Sequence, residues 1–260
     1  MKIAVVGNGR MGSAAAECAE ARGHRIVTSV GGAALRAGDN RWLDAAGEAD
    51  GAFEFTHGDA AEGHVAALLA AGVPVVSGTT GWAPSPALLA AVERSGRGFL
   101  LAPNFSVGVQ LFFRAAAVAA RLLAGSGLCQ PYIVEHHHRG KRDAPSGTAR
   151  RLAELVHEAV PGLEILEGQP RGALDAHVLQ VTSVRAGDEP GAHLLGFDGS
   201  HDTVRLEHRA RGRGGFALGA VLAVEWIQGR SGVRDFSEVL DAWLRDSPGG
   251  ARPGQAPGGR

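Results

Sequence analysis

The stretch from Glu135 to Ala149 reads EHHHRGKRDAPSGTA. It holds three adjacent histidines, several cations, an aspartate and a Pro-Ser-Gly-Thr turn. Three chemistries fit such a set: a metal centre, a solvated basic loop, or an acid–base centre that grips an anion. A metal fits worst. Side chains alternate along an extended strand, so only His136 and His138 would share a face. Zinc takes three or four protein ligands at fitting spacings. No H-x3-H or C-x2-C pattern lies near, and Cys129 is the only thiol close in sequence. No metal is expected. A basic loop accounts for Arg139, Lys141 and Arg142, but not for the residues after them. Ser146 or Thr148 can cap a helix running from about Thr148 to Val160. Gly147 lets a ligand approach the free N–H groups of its first turn, which makes an anion site. Histidine titrates near neutrality, which suits proton transfer. These residues favour a working site for a carboxylate or a phosphate.

A second stretch, VVGNGRMG, lies at the other end of the chain. Gly7, Gly9 and Gly12 fit G-x-G-x-x-G, with Asn8, Arg10 and Met11 between them. The first glycine permits a tight turn, the second lets a pyrophosphate approach the backbone, and the third lets helix pack on strand. The motif carries weight only between a strand and a helix, and it has both. Lys2–Val6 reads as a strand and Met11–Arg22 as a helix.

Alternation continues through the first hundred residues. Strands are expected at Arg25–Val30, Gly51–Phe55, Val73–Ser77 and Gly98–Ala102, and helices at Ala60–Ala71 and Pro86–Ser95. Such alternation implies a parallel sheet with right-handed crossovers. Gly31–Asp50 shows no period and reads as an irregular connection. Ligands of these sheets bind outside the carboxyl ends of the strands. GTTGW, with Gly78, Thr79 and Thr80, follows the fourth strand. APNFSVG, with Ala102, Pro103, Asn104 and Phe105, follows the fifth, and Phe55–His57 closes the third. The second strand ends in Gly31 and Gly32, with no carboxylate to repel a 2′-phosphate. NADH and NADPH are both admitted, and Arg36 and Arg41 are the cations within reach.

Beyond Asn104 the pattern changes. Val107–Leu123 reads as a long helix and Pro131–Glu135 as a strand. His177–Arg185, His193–Gly199 and Asp202–Ala210 alternate like an antiparallel meander. Gly215–Gln228 and Asp235–Asp246 read as helices. Residues 248–260 are Pro- and Gly-rich and are expected to be disordered.

The chain has 260 residues, 45% of them hydrophobic, enough for one large domain or two small ones. A net charge of -1 offers no basic field for nucleic acid or an anionic membrane. Cys18 and Cys129 lie far apart, which suits a reducing compartment better than a disulfide framework. The first apolar run is too short for a signal peptide, and no apolar stretch reads as long enough to span a bilayer. A soluble cytoplasmic protein is expected.

Taken together, GNGRMG, GTTGW, APNFSVGVQL, the central stretch and SVRAGDEPGAH (Ser183–His193) resemble the 4-hydroxy-tetrahydrodipicolinate reductase family of lysine and diaminopimelate biosynthesis. The likeness runs in order from residue 2 to about residue 246. The family signature E-x-H-H-x-x-K-x-D-x-P-S-G-T-A is matched by Glu135, His137, His138, Lys141, Asp143, Pro145, Ser146, Gly147, Thr148 and Ala149.

The resemblance implies a Rossmann-type doubly wound parallel sheet over residues 1–104 and 215–247. An α+β substrate-binding and oligomerisation domain with an open mixed sheet would then cover 105–214. It implies NADH or NADPH as cofactor, held by Gly7–Met11, Gly78–Thr80 and Ala102–Phe105. The substrate would be a cyclic dicarboxylate that loses its 4-hydroxyl as water. His137 would be the proton donor or acceptor, His138 a substrate contact and Lys141 a second acid. Gly147 and Thr148 would hold a substrate carboxylate, with Ser146 as a further substrate-binding residue, and the assembly would be a homotetramer. His136 receives no role.

Departures from the family pattern lie at the cofactor end: a glycine loop one residue short, and Gly31 and Gly32 at the acidic and basic positions. Two other readings share the glycine loop, another two-domain dehydrogenase and a non-catalytic dinucleotide-binding regulator. Neither has a reason for the central signature.

Overall fold

The computed structural model describes residues 1–36 and 41–246. The side chain of Arg36 and the 248–260 tail, both subjects of expectations above, lie outside the described residues. The chain divides into two compact units, Met1–Phe105 with the segment from Phe216 onward, and Ser106–Gly215.

In the first unit strands and helices alternate. They are β1 (Lys2–Val6), α1 (Arg10–Ala21), β2 (Arg25–Val30), α2 (Gly32–Arg36), α3 (Arg41–Ala46), β3 (Gly51–Glu54), α4 (Gly58–Ala70), β4 (Val75–Ser77), α5 (Pro86–Ser95) and β5 (Gly98–Leu101). The second unit holds α6 (Val107–Ala119), β6 (Cys129–His137), α7 (Gly147–Ala159), β7 (Glu164–Glu167), β8 (Val178–Arg185), β9 (Ala192–Gly199) and β10 (Thr203–Arg209). The chain then returns through α8 (Gly214–Trp226), β11 (Gly232–Arg234) and α9 (Phe236–Asp246).

The first sheet is wholly parallel, in the order β11-β5-β4-β3-β1-β2. Its inner strands β1, β3, β4 and β5 are near-continuous apolar runs because both faces are covered. Ile3, Ala4, Val5 and Val6 are all fully buried. The edge strand β11 is new to the sequence reading; three residues between loops leave no period to detect. Gly31–Asp50 is corrected as well. It is not irregular throughout but contains α2 and α3. Five- and six-residue helices are too short to show a 3.6-residue repeat, yet Leu35 and Trp42 pack on the core and Ala46 is fully buried.

The second sheet is mixed, in the order β10-β9-β6-β8-β7. The expected meander is overturned. β9 and β10 do form an antiparallel hairpin, but β6 lies between β8 and β9, parallel to one and antiparallel to the other. Local alternation says which residues share a face, not which strand lies alongside. β6 is the central strand, with Pro131, Ile133, Glu135 and His137 buried and Tyr132, Val134 and His136 between them half-buried. Its inward face packs with Leu179, Val181, Leu195 and Phe197 against Phe112 and Ala116 of α6 and Leu152 and Val156 of α7.

Helix α6 continues into a π-helical turn, Ala120–Ala124. The 18-residue run Val107–Ala124 has a mean hydropathy of 1.5, so by length and composition alone it is long enough to cross a membrane. That corrects the sequence reading. Here one side of it, Phe112, Ala116, Ala120 and Ala124, is buried in the core of the second unit.

Candidate active site

Two groups of predicted residues are gathered, one in each unit. In the first unit, the loops after β1, β3, β4 and β5 sit side by side along the carboxyl edge of the sheet, since those strands are neighbours. Strand order reverses between β1 and β3, the switch point where such sheets bind ligands. Gly7 has φ +97, and a Cβ there would fall 2.2 Å from the Phe55 carbonyl oxygen. A Cβ at Gly12 would fall 1.9 Å from the Gly7 carbonyl oxygen, so the helix can approach the strand only as glycine. Gly9 is different. It precedes α1, and nothing lies within 4 Å of its would-be Cβ. Around Gly9 an open helix N-terminus faces free space, which fits a dinucleotide pyrophosphate.

Of the other cofactor candidates, Asn8, Arg10, Thr80 and Pro103 are exposed, and Met11, Gly78 and Asn104 are half-buried. Thr79, Ala102 and Phe105 are buried. Thr79 Oγ1 accepts from the Thr56 amide at 2.8 Å, and Phe105 stacks between Phe55 and Phe236. Their side chains hold the loops in place rather than face a ligand. Sequence reasoning missed Glu54, which is fully buried at the end of β3. It accepts from Ser77 Oγ at 2.6 Å and from the Thr56 hydroxyl, tying the loops after β3 and β4 together. A Cβ at Gly31 would lie 1.9 Å from Oδ1 of the exposed Asn8, so a side chain at position 31 would have to turn the Asn8 amide aside.

In the second unit, alternation on β6 splits the histidine triplet. Glu135 and His137 point inward; His136 points away, with Nε2 3.0 Å from the Ala186 carbonyl oxygen. His138 is exposed beyond the strand end. Its amide donates to the Glu189 carbonyl at 2.8 Å, and the Lys141 amide donates to the His138 carbonyl, so the loop is pinned at both ends. Lys141 Nζ lies 2.7 Å from Asp143 Oδ1. Ser146 caps α7, its hydroxyl accepting from the Ala149 amide at 3.2 Å. That hydroxyl also meets His193 Nε2 at 3.2 Å, so Ser146 sits behind the helix start, with Gly147 exposed and Thr148 half-buried in front.

Glu135 is the hub of this arrangement and is fully buried. Oε1 accepts from the Ser146 amide (2.9 Å), Ser183 Oγ (2.6 Å) and Arg185 Nη2 (2.7 Å). Arg185 also donates to the Asp143 carbonyl at 2.7 Å, clamping the loop to the sheet. Oε2 lies 3.1 Å from His137 Nδ1 and 3.8 Å from His193 Nε2. Burial alone would raise the Glu135 pKa, but bonds from Ser146, Ser183 and Arg185 outweigh it and bring it down to about 2. Burial lowers the His137 pKa; Glu135 opposes this, while Lys141 and Arg185 add to it. Burial, then the neighbouring His137 ring, pushes His193 down to about 4.

Ser183, Arg185 and His193 were not singled out as site residues. They arrive from β8 and β9, roughly fifty positions along the chain. With them comes a set that spacing could not reveal: ligand atoms of Glu135, His137 and His193 within 4.8 Å of one another. A cation there would meet the Arg185 guanidinium, which already pairs with the same carboxylate. The set reads better as an acid–base device.

A base whose pKa falls on folding takes its proton more readily in the unfolded chain. The stability it contributes is complete above the unfolded value near pH 6.5, falls as pH drops toward 4, and is level below. At about 1.4 kcal/mol per pH unit, His193 accounts for a fall of about 3 kcal/mol over that window. Urea midpoints at pH 7 and about pH 4 should show a smaller loss for His193→Gln than for the unaltered protein. Parallel losses would remove His193 from the account.

Models of the two halves of one family match the chain in order: dihydrodipicolinate reductase, N-terminus, over residues 1–105, and its C-terminus over residues 108–240. The 4-hydroxy-tetrahydrodipicolinate reductase of Christiangramia forsetii is 33% identical over 241 residues, covering 92% of this chain and 98% of that protein. The one from Myxococcus xanthus is 40% identical over 205 residues, covering 77% and 74%. In fold the chain is similar to a dipicolinate-bound dihydrodipicolinate reductase from Paenisporosarcina sp. TG-14, with a TM-score of 0.68 at 22% identity, over 90% of this chain and 97% of that one. With both halves matched over nearly its whole length, the chain belongs to the dihydrodipicolinate reductase family of NAD(P)H-dependent oxidoreductases.

Proposed function

We propose that this protein reduces 4-hydroxy-tetrahydrodipicolinate to tetrahydrodipicolinate, with loss of water, in lysine and diaminopimelate biosynthesis. One observation carries the reading: a buried His137 backed by an ionised Glu135, beside the capped start of α7, in a chain of this family.

When bound, the nicotinamide supplies the hydride. The protein supplies the rest. Gly7–Gly12 cradles the pyrophosphate, and the loops at Gly78–Thr80 and Ala102–Phe105 border the nicotinamide half. Gly147 and Thr148, at the start of α7, receive a substrate carboxylate on free N–H groups. His138 and Lys141 face the charge of a dicarboxylate and the charge that develops on the ring during reduction. His137 donates or accepts the proton, with Lys141 as a second acid. Ser146 supports by holding the helix start in place.

We read NADH and NADPH as both accepted. Gly31 and Gly32 carry no carboxylate that would repel a 2′-phosphate. We read the assembly as a homotetramer built on the outward face of the second sheet, where Tyr132, Val134 and Leu194 are half-buried and Val184 is 39% exposed. Free Cys18 and Cys129 support a cytoplasmic location.

The test is a coupled assay. NADH or NADPH should be consumed only when the aldol product of pyruvate and aspartate semialdehyde is supplied. No oxidation with either cofactor overturns the reading. In the same assay Lys141→Ala should lower turnover by about 10- to 100-fold, on the scale of lost general-acid help. Unchanged turnover would remove Lys141 from the chemistry.

A further inference from the structure

The two oxygens of Glu135 do different work. Oε1 is saturated by Ser146, Ser183 and Arg185. Oε2 accepts from none of them. It faces His137 Nδ1 at 3.1 Å, and neither atom has a hydrogen-bond partner of good geometry among the described residues. The ring keeps 9% of its side-chain surface in solvent, and Nδ1 contributes essentially none of it.

A neutral imidazole carries its proton on one nitrogen and a lone pair on the other. A lone pair on Nδ1 would face a carboxylate lone pair across 3.1 Å of dry space, leaving two buried acceptors unsatisfied. A proton on Nδ1 satisfies both atoms, and a small turn of ring or carboxylate straightens the bond. Nε2 is then the nitrogen with a free lone pair. It lies against Gly191, where a Cβ would come within 3.0 Å of it. On the inner side the His193 ring meets His137 edge-on, with centroids 5.0 Å apart and planes at 72°.

We infer that Glu135 is a positioning residue for the reaction: Oε2 holds His137 as the Nδ1–H tautomer, so that Nε2 is the atom that exchanges the proton with substrate. The charged and titratable groups that bear on His137 are Glu135 on its own strand, Lys141 and Asp143 from the loop, Arg185 from β8 and His193 from β9. Glu135 is the one whose oxygen reaches a ring nitrogen. Arg185 and the two serines act on His137 through it, keeping the carboxylate ionised and aimed. This inference rests on the reading of His137 as proton donor or acceptor.

Nitrogen-15 spectra of histidine-labelled full-length protein test it directly. At about pH 8, where a free imidazole is neutral, His137 should appear as the Nδ1-protonated tautomer. An Nε2-protonated His137 in the unaltered protein overturns the inference, and that result needs no variant to fold. In Glu135→Gln the three donors keep the amide oxygen at the Oε1 place, so the NH2 faces His137 Nδ1 and the Nε2-protonated tautomer should take over. Turnover should fall by about 10- to 100-fold, with NADPH affinity unchanged. A merely structural Glu135 would move the urea midpoint and leave the tautomer alone. A folded Glu135→Gln with unchanged turnover also overturns the inference. Failure of the functional reading looks different: the unaltered protein oxidises no cofactor, whatever its tautomer.

Discussion

Glutamine in place of His137 is expected to lower kcat by about 100- to 10,000-fold, the usual worth of a positioned acid–base group. Affinity for NADH or NADPH should hold, because the dinucleotide loops belong to the other unit and share no residue with this one. The fold should hold as well. Glutamine is shorter than the ring but can still donate an amide hydrogen to Glu135 Oε2, the acceptor at 3.1 Å. That matters because a bare carboxylate at this depth would cost several kcal/mol. His137→Ala would mix loss of chemistry with loss of packing against His193; His137→Gln keeps them apart. Steady-state kinetics with a cofactor fluorescence titration give both numbers. A variant within a factor of about three of the unaltered kcat would end the case for His137 as the proton carrier.

The second large effect lies in the first unit. Gly12→Ala should weaken cofactor binding more than tenfold and destabilise the fold by about 1–3 kcal/mol, the range of overpacked cores. An ordinary glycine-to-alanine change within a helix does the reverse, stabilising by up to about 1 kcal/mol. The sign therefore separates the cases. The added carbon would sit 1.9 Å from the Gly7 carbonyl oxygen and 3.3 Å from Val5 Cγ1. Backbone cannot swing aside as a side chain can, so α1 must lift from β1 and take the glycine loop with it. Gly9→Ala is the matched comparison. Its Cβ meets nothing within 4 Å, so the urea midpoint should stay put while cofactor affinity drops. If Gly12→Ala kept both its midpoint and its affinity, the glycine loop would not be close-packed between α1 and β1.

Much of this was legible in the residues. The alternation of β1, α1, β2 and their successors is a local property, set by hydrophobic period and turn chemistry, and it appears where expected. The glycine loop is equally local, because a steric requirement at a turn leaves its mark on the residue that meets it. The histidine triplet could be divided on paper too, since side-chain alternation along β6 assigns His136 and His137 to opposite faces. What escaped was of two kinds. Short elements such as α2, α3, β7 and β11 span too few residues to show a period. Pairing also escaped: β8 reads as a partner of β9, yet β6 separates them.

The second kind decided the site. The sequence by itself determined the family, the two-part plan, the glycine loop and the stretch that carries His137, Lys141 and Gly147–Thr148, because each rests on neighbours along the chain. Only the tertiary structure decided what stands behind His137. By seating β6 between β8 and β9, it brings Ser183, Arg185 and His193 to one buried carboxylate. Those residues sit about fifty positions from Glu135, and no local pattern encodes which strand a strand will choose. The charge, dryness and orientation of the Glu135–His137 pair follow from that choice.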